Sequence, residues 1–214
     1  MTAKRQLALR LTVANFLQFY IWGAWLITIG RYWFENRGWS GTSFGAIFST
    51  MGISALFMPA LMGVVADKWI NAEKLYGVMH IGGAVMLFLV PAVGDPETMF
   101  WVMLVNMLFY MPTISLAIAV AYNALKENGQ DVIRDYPPIR VWGTIGFIAA
   151  MWTTSLLRLE TSPGQFYVAA AASLMLGLYA FTLPRCPPRL SLSESRALVD
   201  VLGLTSFRLF KNRN

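Results

Sequence analysis

Residues that could bind a solute recur at helical spacing within long apolar stretches of this sequence. Arg140, Thr144 and Phe147 lie at i, i+4 and i+7, which places them on one face of a helix. The arginine offers five N–H donors in a planar fork, the threonine offers a hydroxyl, and the phenylalanine offers a stacking surface. Spacing alone leaves two interpretations of Arg140 open: a side chain that reaches back to water, or a functional charge facing a wet cavity.

Two further helices carry polar stripes that make weaker candidates for solute contact. Gln18 lies on a face with neighbouring amide and indole groups, and Asn106 and Tyr110 lie on another beside Pro112. The full stripes are Asn15, Gln18, Trp22 and Trp25 in the first helix and Asn106, Tyr110 and Thr113 in the fourth. Amides and hydroxyls suit the edge of a base or a sugar. The alternative, that Gln18 and Asn106 only hold helices together, stays open.

The composition indicates that these helices lie in a membrane. Of the 214 residues, 57% are hydrophobic and only 13% are charged, against about 25% charged in soluble proteins. Six stretches are long enough to span a bilayer, and no alternation at period two favours a barrel. We therefore predict an all-α membrane protein with six transmembrane helices. The predicted spans are about 11–34, 43–66, 74–94, 97–125, 138–157 and 165–184, so residues 1–184 form one bundle.

The distribution of basic residues predicts the orientation of this bundle. With six spans, 14 of the 17 Lys and Arg residues fall on one side of the membrane and three on the other. The positive-inside rule then places both termini of the chain in the cytoplasm. Because topology explains the net charge of +6, nucleic acid is not an expected partner.

Residues 185–214 are predicted to form a cytoplasmic loop or linker. Ser191 and Glu194 have the spacing of a capping box, and apolar residues follow at helical spacing. A short amphipathic helix on the membrane surface fits this pattern, and a solvated linker is the alternative. The segment ends in basic residues typical of the approach to another span, so we expect the chain to be a fragment.

The sequence provides little for catalysis or for metal binding. Cys186 is the single cysteine, and all 11 carboxylates fall in loops, in the tail or at span ends. His80 is a single histidine without a visible carboxylate partner, and such a residue is only weak evidence for proton transfer. We therefore predict neither an enzyme nor a metal site. Glycine patterns at Gly45 and Gly52 and at Gly143 and Gly146 predict close approach of helices.

The turn after the second predicted span carries a recognisable motif. In "GVVADKW", residues 63–69, the matching residues are Gly63, Asp67 and Lys68. This resembles the opening of the loop motif of the major facilitator superfamily, although the later glycine and basic cluster of that motif are absent. The resemblance implies a conformational switch, in which Asp67 at the helix end pairs with a helix terminus and holds one state closed.

Longer matches narrow the family. "FLQFYIWGAWLITIG", "FMPALMGVVADKW", "YMPT" and "DYPPIRVWGTIGFIAAMW" are similar to the bacterial nucleoside permeases, the nucleoside–proton symporters of this superfamily. That family has 12 spans in two six-helix halves, so the resemblance implies an N-terminal half whose C-terminal half is missing here. It also implies that Arg140, Thr144 and Phe147 contact the nucleoside. The acidic residues tied to proton coupling would belong to the absent half.

The expected function is proton-coupled nucleoside uptake by alternating access across the bacterial inner membrane. No cofactor is expected, and the proton is the coupling ion. The expected partners are a small nucleoside, the lipid bilayer and the C-terminal six-helix half. Two alternatives remain at this point: a sugar or oligosaccharide carrier of the same superfamily, and a six-span membrane protein that does not transport.

Overall fold

A computed structural model describes residues 3–189 and shows a bundle of α-helices. The helices are α1 (Ala3–Gly23), α2 (Ile29–Arg31), α3 (Gly41–Lys68), α4 (Ala72–Leu89), α5 (Pro96–Glu127), α6 (Val132–Leu156) and α7 (Gly164–Ala180). A π-helical turn, Tyr32–Asn36, follows α2, and a 3₁₀ turn, Val90–Ala92, follows α4. The predicted amphipathic segment that begins at Ser191 lies outside the described residues.

Local side-chain chemistry determines where the longest helices begin and end. The N-cap side chains of Ser40, Asp95 and Asp131 accept backbone N–H groups at the starts of α3, α5 and α6, respectively. Such caps satisfy N–H groups that have no partner within the helix. At the end of α5, Gly129 adopts φ +64°. The amide of Gln130 then reaches back to the Leu125 carbonyl at 3.0 Å, which closes the helix in a Schellman-type turn.

Four pairs of helices make most of the contacts within the bundle. α1 packs mainly against α6, α3 against α5, and α4 against both α5 and α7. Large apolar side chains also cover the outside: Leu56 of α3 is 84% exposed and Trp152 of α6 is 67% exposed. Apolar residues on the outer face of a helical bundle indicate that its solvent is lipid.

Among residues 3–189, three helical segments are long and apolar enough to cross a bilayer: Gly41–Lys68, Ala72–Ala92 and Pro96–Glu127. Gly164–Ala180 is a shorter apolar helix. The all-helical prediction is confirmed, since no strand occurs in the described part of the chain.

The first helix does not occupy the predicted interval 11–34. α1 begins at Ala3 and ends at Gly23, and turns then lead into α2. The apolar run continues past Gly23 because residues such as Trp25, Ile29 and Trp33 are buried at the end of the bundle. The Thr28 hydroxyl fixes this turn by donating to the Gln165 side-chain oxygen at 2.8 Å. Hydrophobicity alone does not distinguish a spanning helix from such a packed turn.

The helix that carries Arg140 also begins earlier than the predicted residue 138. Asp131 caps α6, so Pro137 and Pro138 lie inside the helix. Arg140 is consequently more than two turns from the start of α6.

Candidate functional site

The predicted solute-contact residues of α6 lie along one partly open face. Arg140 and Phe147 are partly buried, and Thr144 is exposed. Within residues 3–189 the Arg140 side chain forms no ion pair. Its guanidinium carbon instead lies 4.0 Å from the centroid of the Phe19 ring on α1. The N–H groups of Arg140 therefore have no carboxylate partner in the described part of the chain, and the guanidinium makes a cation–π contact with an aromatic ring.

Glycines bring α1 and α6 into backbone contact beside Arg140. A Cβ added at Gly146 would collide with the Phe16 carbonyl, and one added at Gly23 would lie 2.5 Å from the Phe147 carbonyl oxygen. At Gly143 a Cβ would lie 2.6 Å from the Phe19 ring. The predicted close approach at Gly143 and Gly146 is thus confirmed. The close approach of helices predicted at Gly45 and Gly52 is not seen, because no atom of another described element lies within 4 Å of a Cβ at either position.

Gln18, one residue before Phe19, is the centre of a buried polar network. Its side-chain oxygen accepts hydrogen bonds from the Tyr76 hydroxyl and from His80 Nε2, both at 2.8 Å. Its amide nitrogen donates to the Thr113 hydroxyl at 2.8 Å, and its backbone oxygen accepts from the Tyr110 hydroxyl at 2.7 Å. The side chain is fully buried. Gln18 therefore joins α1 to α4 and α5, and in this conformation it is out of reach of a solute.

His80 extends the network to a fourth helix. Its Nδ1 lies 3.3 Å from the Ser173 hydroxyl oxygen, and that hydroxyl also donates to the His80 carbonyl at 2.8 Å. Since Gln18 Oε1 is an acceptor, His80 Nε2 carries the donated hydrogen. The sequence offered no means of predicting this contact, because Gln18, His80 and Ser173 are far apart along the chain.

Asn106 and Tyr110 lie on the same side of α5 as Thr113, as predicted, and both are almost fully buried. The Asn106 side-chain oxygen has no hydrogen-bond partner among the described residues. The Trp22 indole N–H is likewise unpartnered there, and the Trp22 ring lies 5.7 Å from the Tyr110 ring. Both atoms are buried, so within the described residues they are polar groups of the predicted stripes that lack a hydrogen-bond partner.

The predicted switch residues lie at the end of α3, beside a cavity of about 320 Å³. Gly63 and Asp67 line this cavity together with Lys126 and Arg189, and Lys68 is the last residue of α3. The Asp67 carboxylate is exposed and forms no ion pair within residues 3–189.

The chain after α7 crosses this end of the bundle as a strap, residues 183–189. The backbone N–H of Cys186 donates to the buried Glu73 carboxylate at 2.8 Å, and the Arg189 N–H donates to the Asp67 carbonyl at 3.1 Å. Burial, followed by the charge of Glu73, raises the pKa of the Cys186 thiol to about 11. The strap therefore ties the C-terminal end of the described chain to α3 and α4.

The described residues contain no group of three or more His, Cys, Asp or Glu side chains that could hold a metal ion. The apolar outer surface and the spanning helices define an integral membrane protein of the helical-bundle class. Its polar side chains converge between helices, as in proteins that bind small solutes within the membrane.

Comparison with known proteins identifies the family within this class. The sequence profile described as "Nucleoside H+ symporter" matches residues 5–214. The chain belongs to this nucleoside–proton symporter family.

Individual relatives agree with this assignment. The xanthosine permease of Escherichia coli (strain K12) is 48% identical over 209 residues, covering 96% of this chain and 49% of that protein. The nucleoside permease NupG of the same organism is 46% identical over 207 residues, covering 97% of this chain and 49% of that protein. A crystal structure of a single-substitution mutant of the nucleoside transporter NupG superposes with a TM-score of 0.92 at 47% identity, covering 96% of this chain and 51% of that one. This chain spans about half the length of the curated relatives that it matches.

Proposed function

We propose that this chain forms the N-terminal six-helix bundle of a proton-coupled nucleoside importer of the major facilitator type. In this proposal the membrane-crossing helices are α1, α3, α4, α5, α6 and α7. A C-terminal six-helix half completes the transporter, and the solute site lies between the two bundles, which rock about it. Family membership and the similarity to half of NupG support this arrangement.

Arg140 is the observation that carries the proposal. It is a partly buried arginine without an ion pair among the described residues, on the same helix face as Thr144 and Phe147. An unneutralised charge inside a bundle is costly unless it faces water or a polar ligand. We assign Arg140 as a paired hydrogen-bond donor to the nucleoside, Thr144 as a hydroxyl contact and Phe147 as a stacking or apolar surface.

The remaining polar residues have secondary roles in this proposal. Asn106 is buried like Gln18, and although its side-chain oxygen has no hydrogen-bond partner among the described residues, it is not assigned a nucleoside contact in this conformation. Gln18 and Tyr110, which bond to each other and are buried, hold the helices rather than the nucleoside.

The switch at the end of α3 operates between the two halves. Gly63 leaves space for a helix of the other half, and Asp67 is available to a helix N-terminus or a basic residue there. Lys68 adds a cation at the C-terminal end of α3, where the helix dipole favours one. In this proposal this end of the bundle and both termini of the chain lie in the cytoplasm of a bacterial inner-membrane protein, and the excess of Lys and Arg on one side supports that orientation.

The test is nucleoside uptake by the full-length transporter carrying single substitutions at position 140. Arg140→Ala is expected to abolish uptake or raise its KM at least tenfold, because paired charged hydrogen bonds contribute about 1.5–3 kcal/mol each. Arg140→Lys is expected to be poor as well, since an ammonium group does not reproduce the planar fork. Arg134→Ala is the matched control, because the Arg134 side chain on the same helix is 85% exposed.

Labelled xanthosine and a panel of unlabelled nucleosides, free bases and sugars distinguish the substrate class. Competition by nucleosides and not by sugars supports the proposal, as does loss of uptake when a protonophore collapses the proton gradient. Wild-type uptake by Arg140→Ala would remove the assigned site.

A further inference from the structure

Phe19 on α1 lies directly against the charged group of the proposed nucleoside site. The Arg140 guanidinium is 4.0 Å from the centroid of the Phe19 ring. Gly143, one turn beyond Arg140, leaves the space that this stack occupies. A Cβ there would lie 2.6 Å from the Phe19 ring and 2.7 Å from Arg140 Nη1. Ring, guanidinium and glycine thus form one tightly packed unit between α1 and α6.

The residues on either side of Phe19 fix its position. Gln18 is bonded to Tyr76, His80, Thr113 and Tyr110, as described above. Tyr20 donates from its hydroxyl to the Thr153 hydroxyl of α6 at 2.9 Å. Gln18 therefore holds the backbone beside residue 19 against α4 and α5, and Tyr20 holds it against α6. The register of α1 is fixed where the ring meets the arginine.

An aromatic ring beneath a guanidinium has two physical effects. The negative face of the ring stabilises the cation without neutralising it, and the stack restricts the rotamers of a long flexible side chain. The hydrogen atoms of a guanidinium lie in its plane, so a stacked partner leaves the N–H groups free at the edge. A carboxylate at the same place would occupy those N–H groups.

We propose that Phe19 is a positioning residue for nucleoside binding: it holds the Arg140 guanidinium in one plane so that its paired N–H groups meet paired acceptors on the nucleoside. This inference rests on the proposed role of Arg140 in nucleoside binding. It assigns part of the site to α1, although the ring itself need not touch the nucleoside.

The experiment measures KM and maximal rate of nucleoside uptake in the full-length transporter, normalised to the amount of protein in the membrane. Phe19→Leu removes the π face and is expected to raise KM about 5-fold. That is the loss of affinity that corresponds to losing one exposed or partly desolvated cation–π contact. The maximal rate per molecule should stay within about twofold, because the loss affects binding. Phe19→Tyr retains the π face and should keep the wild-type KM.

Phe16→Leu is the matched control. Phe16 lies on the same helix and stacks on Tyr20 with a centroid separation of 5.8 Å. It has no cation–π contact with Arg140, so its KM should stay at the wild-type value. If Phe19→Leu does not reach the membrane, Phe19→Met, which also fills space without a π face, takes its place with the same expected KM.

A double substitution separates this inference from the proposed function. If Phe19 acts through Arg140, Phe19→Leu should cause no further rise in KM in a background that carries the uncharged Arg140→Met, or Arg140→Ala where uptake is measurable. A defective Arg140→Ala combined with a wild-type KM for Phe19→Leu would overturn the role of Phe19 and leave the proposed function standing. A normal Arg140→Ala would overturn both. A lower maximal rate with unchanged KM, not rescued by Phe19→Tyr, would reduce Phe19 to a packing residue.

Discussion

The contact between α1 and α6 yields the sharpest prediction about the fold. Gly146 of α6 faces the backbone of Phe16, and a Cβ at residue 146 would lie 2.9 Å from the Phe16 carbonyl carbon and 3.0 Å from its Cα, closer still to its oxygen. These are backbone atoms, so no side-chain rotation relieves the collision. In Gly146→Ala, α1 and α6 must move apart. Their separation has to grow by about 1 Å before the new methyl group makes ordinary van der Waals contact with the Phe16 backbone.

The magnitude follows from two opposing effects. Forcing an extra methyl group into a packed contact typically costs about 1–3 kcal/mol, and a backbone collision lies at the upper end of that range. Alanine is a better helix former than glycine by about 1 kcal/mol, which offsets part of the loss. We expect Gly146→Ala to lower the free energy of unfolding by about 2 kcal/mol, which for a protein of this size lowers Tm by about 4–8 °C.

The assay is thermal unfolding of the purified protein in detergent, followed by intrinsic tryptophan fluorescence. Gly52→Ala is the matched control, because Gly52 is also in a long helix but has no atom of the described chain within 4 Å of an added Cβ. Its Tm should be equal to or above that of the wild type. Equal Tm values for wild type and Gly146→Ala would refute the backbone contact between α1 and α6.

Two other predictions concern the buried network and the strap. Gln18→Leu leaves His80 Nε2 and the Tyr76 hydroxyl without their acceptor and should lower the free energy of unfolding by about 3 kcal/mol, seen as a lower Tm; an unchanged Tm would contradict the network. With a pKa of about 11 in place of the usual 9.0, the Cys186 thiol is about 100-fold less ionised at pH 7.5. Because the thiolate is the reactive form, maleimide labelling of Cys186 should be slow and should accelerate with rising pH. Glu73→Gln removes a charge that raises this pKa and should speed labelling several-fold at pH 7.5, whereas labelling of the wild type at the rate of a free thiol would contradict the strap.

The sequence predicted the helical class because lipid imposes long apolar stretches that composition reveals directly. It failed at the end of the first helix, where hydrophobicity continues through a turn. Trp25 and Trp33 are buried in a turn, but side chains of the same kind would suit a spanning helix. Burial against protein and exposure to lipid both select apolar side chains. The break after Gly23 depends on contacts with α6 and with Gln165, more than a hundred residues away.

The candidate site also combines local features that the sequence predicts with contacts that depend on helix packing. Arg140, Thr144 and Phe147 share a face by helical periodicity, which is a local property that spacing alone specifies. The small-residue patterns of α3 and α6 looked alike in the sequence, yet only Gly143 and Gly146 meet another helix among the described residues. Which glycine receives a neighbour is a property of helix pairing, and periodicity carries no information about the partner.

By itself, the sequence determined that this protein is a helical membrane protein, and its motifs indicated the nucleoside–proton symporter family to which it belongs. Only the tertiary structure decided that Gln18 is a buried hub for Tyr76 and His80, and that Phe19 lies beneath Arg140. The physical reason is the range of the interactions. Lipid solvation and helical periodicity act on each residue or its near neighbours, whereas a hydrogen bond or an aromatic stack between helices exists only after distant segments have packed.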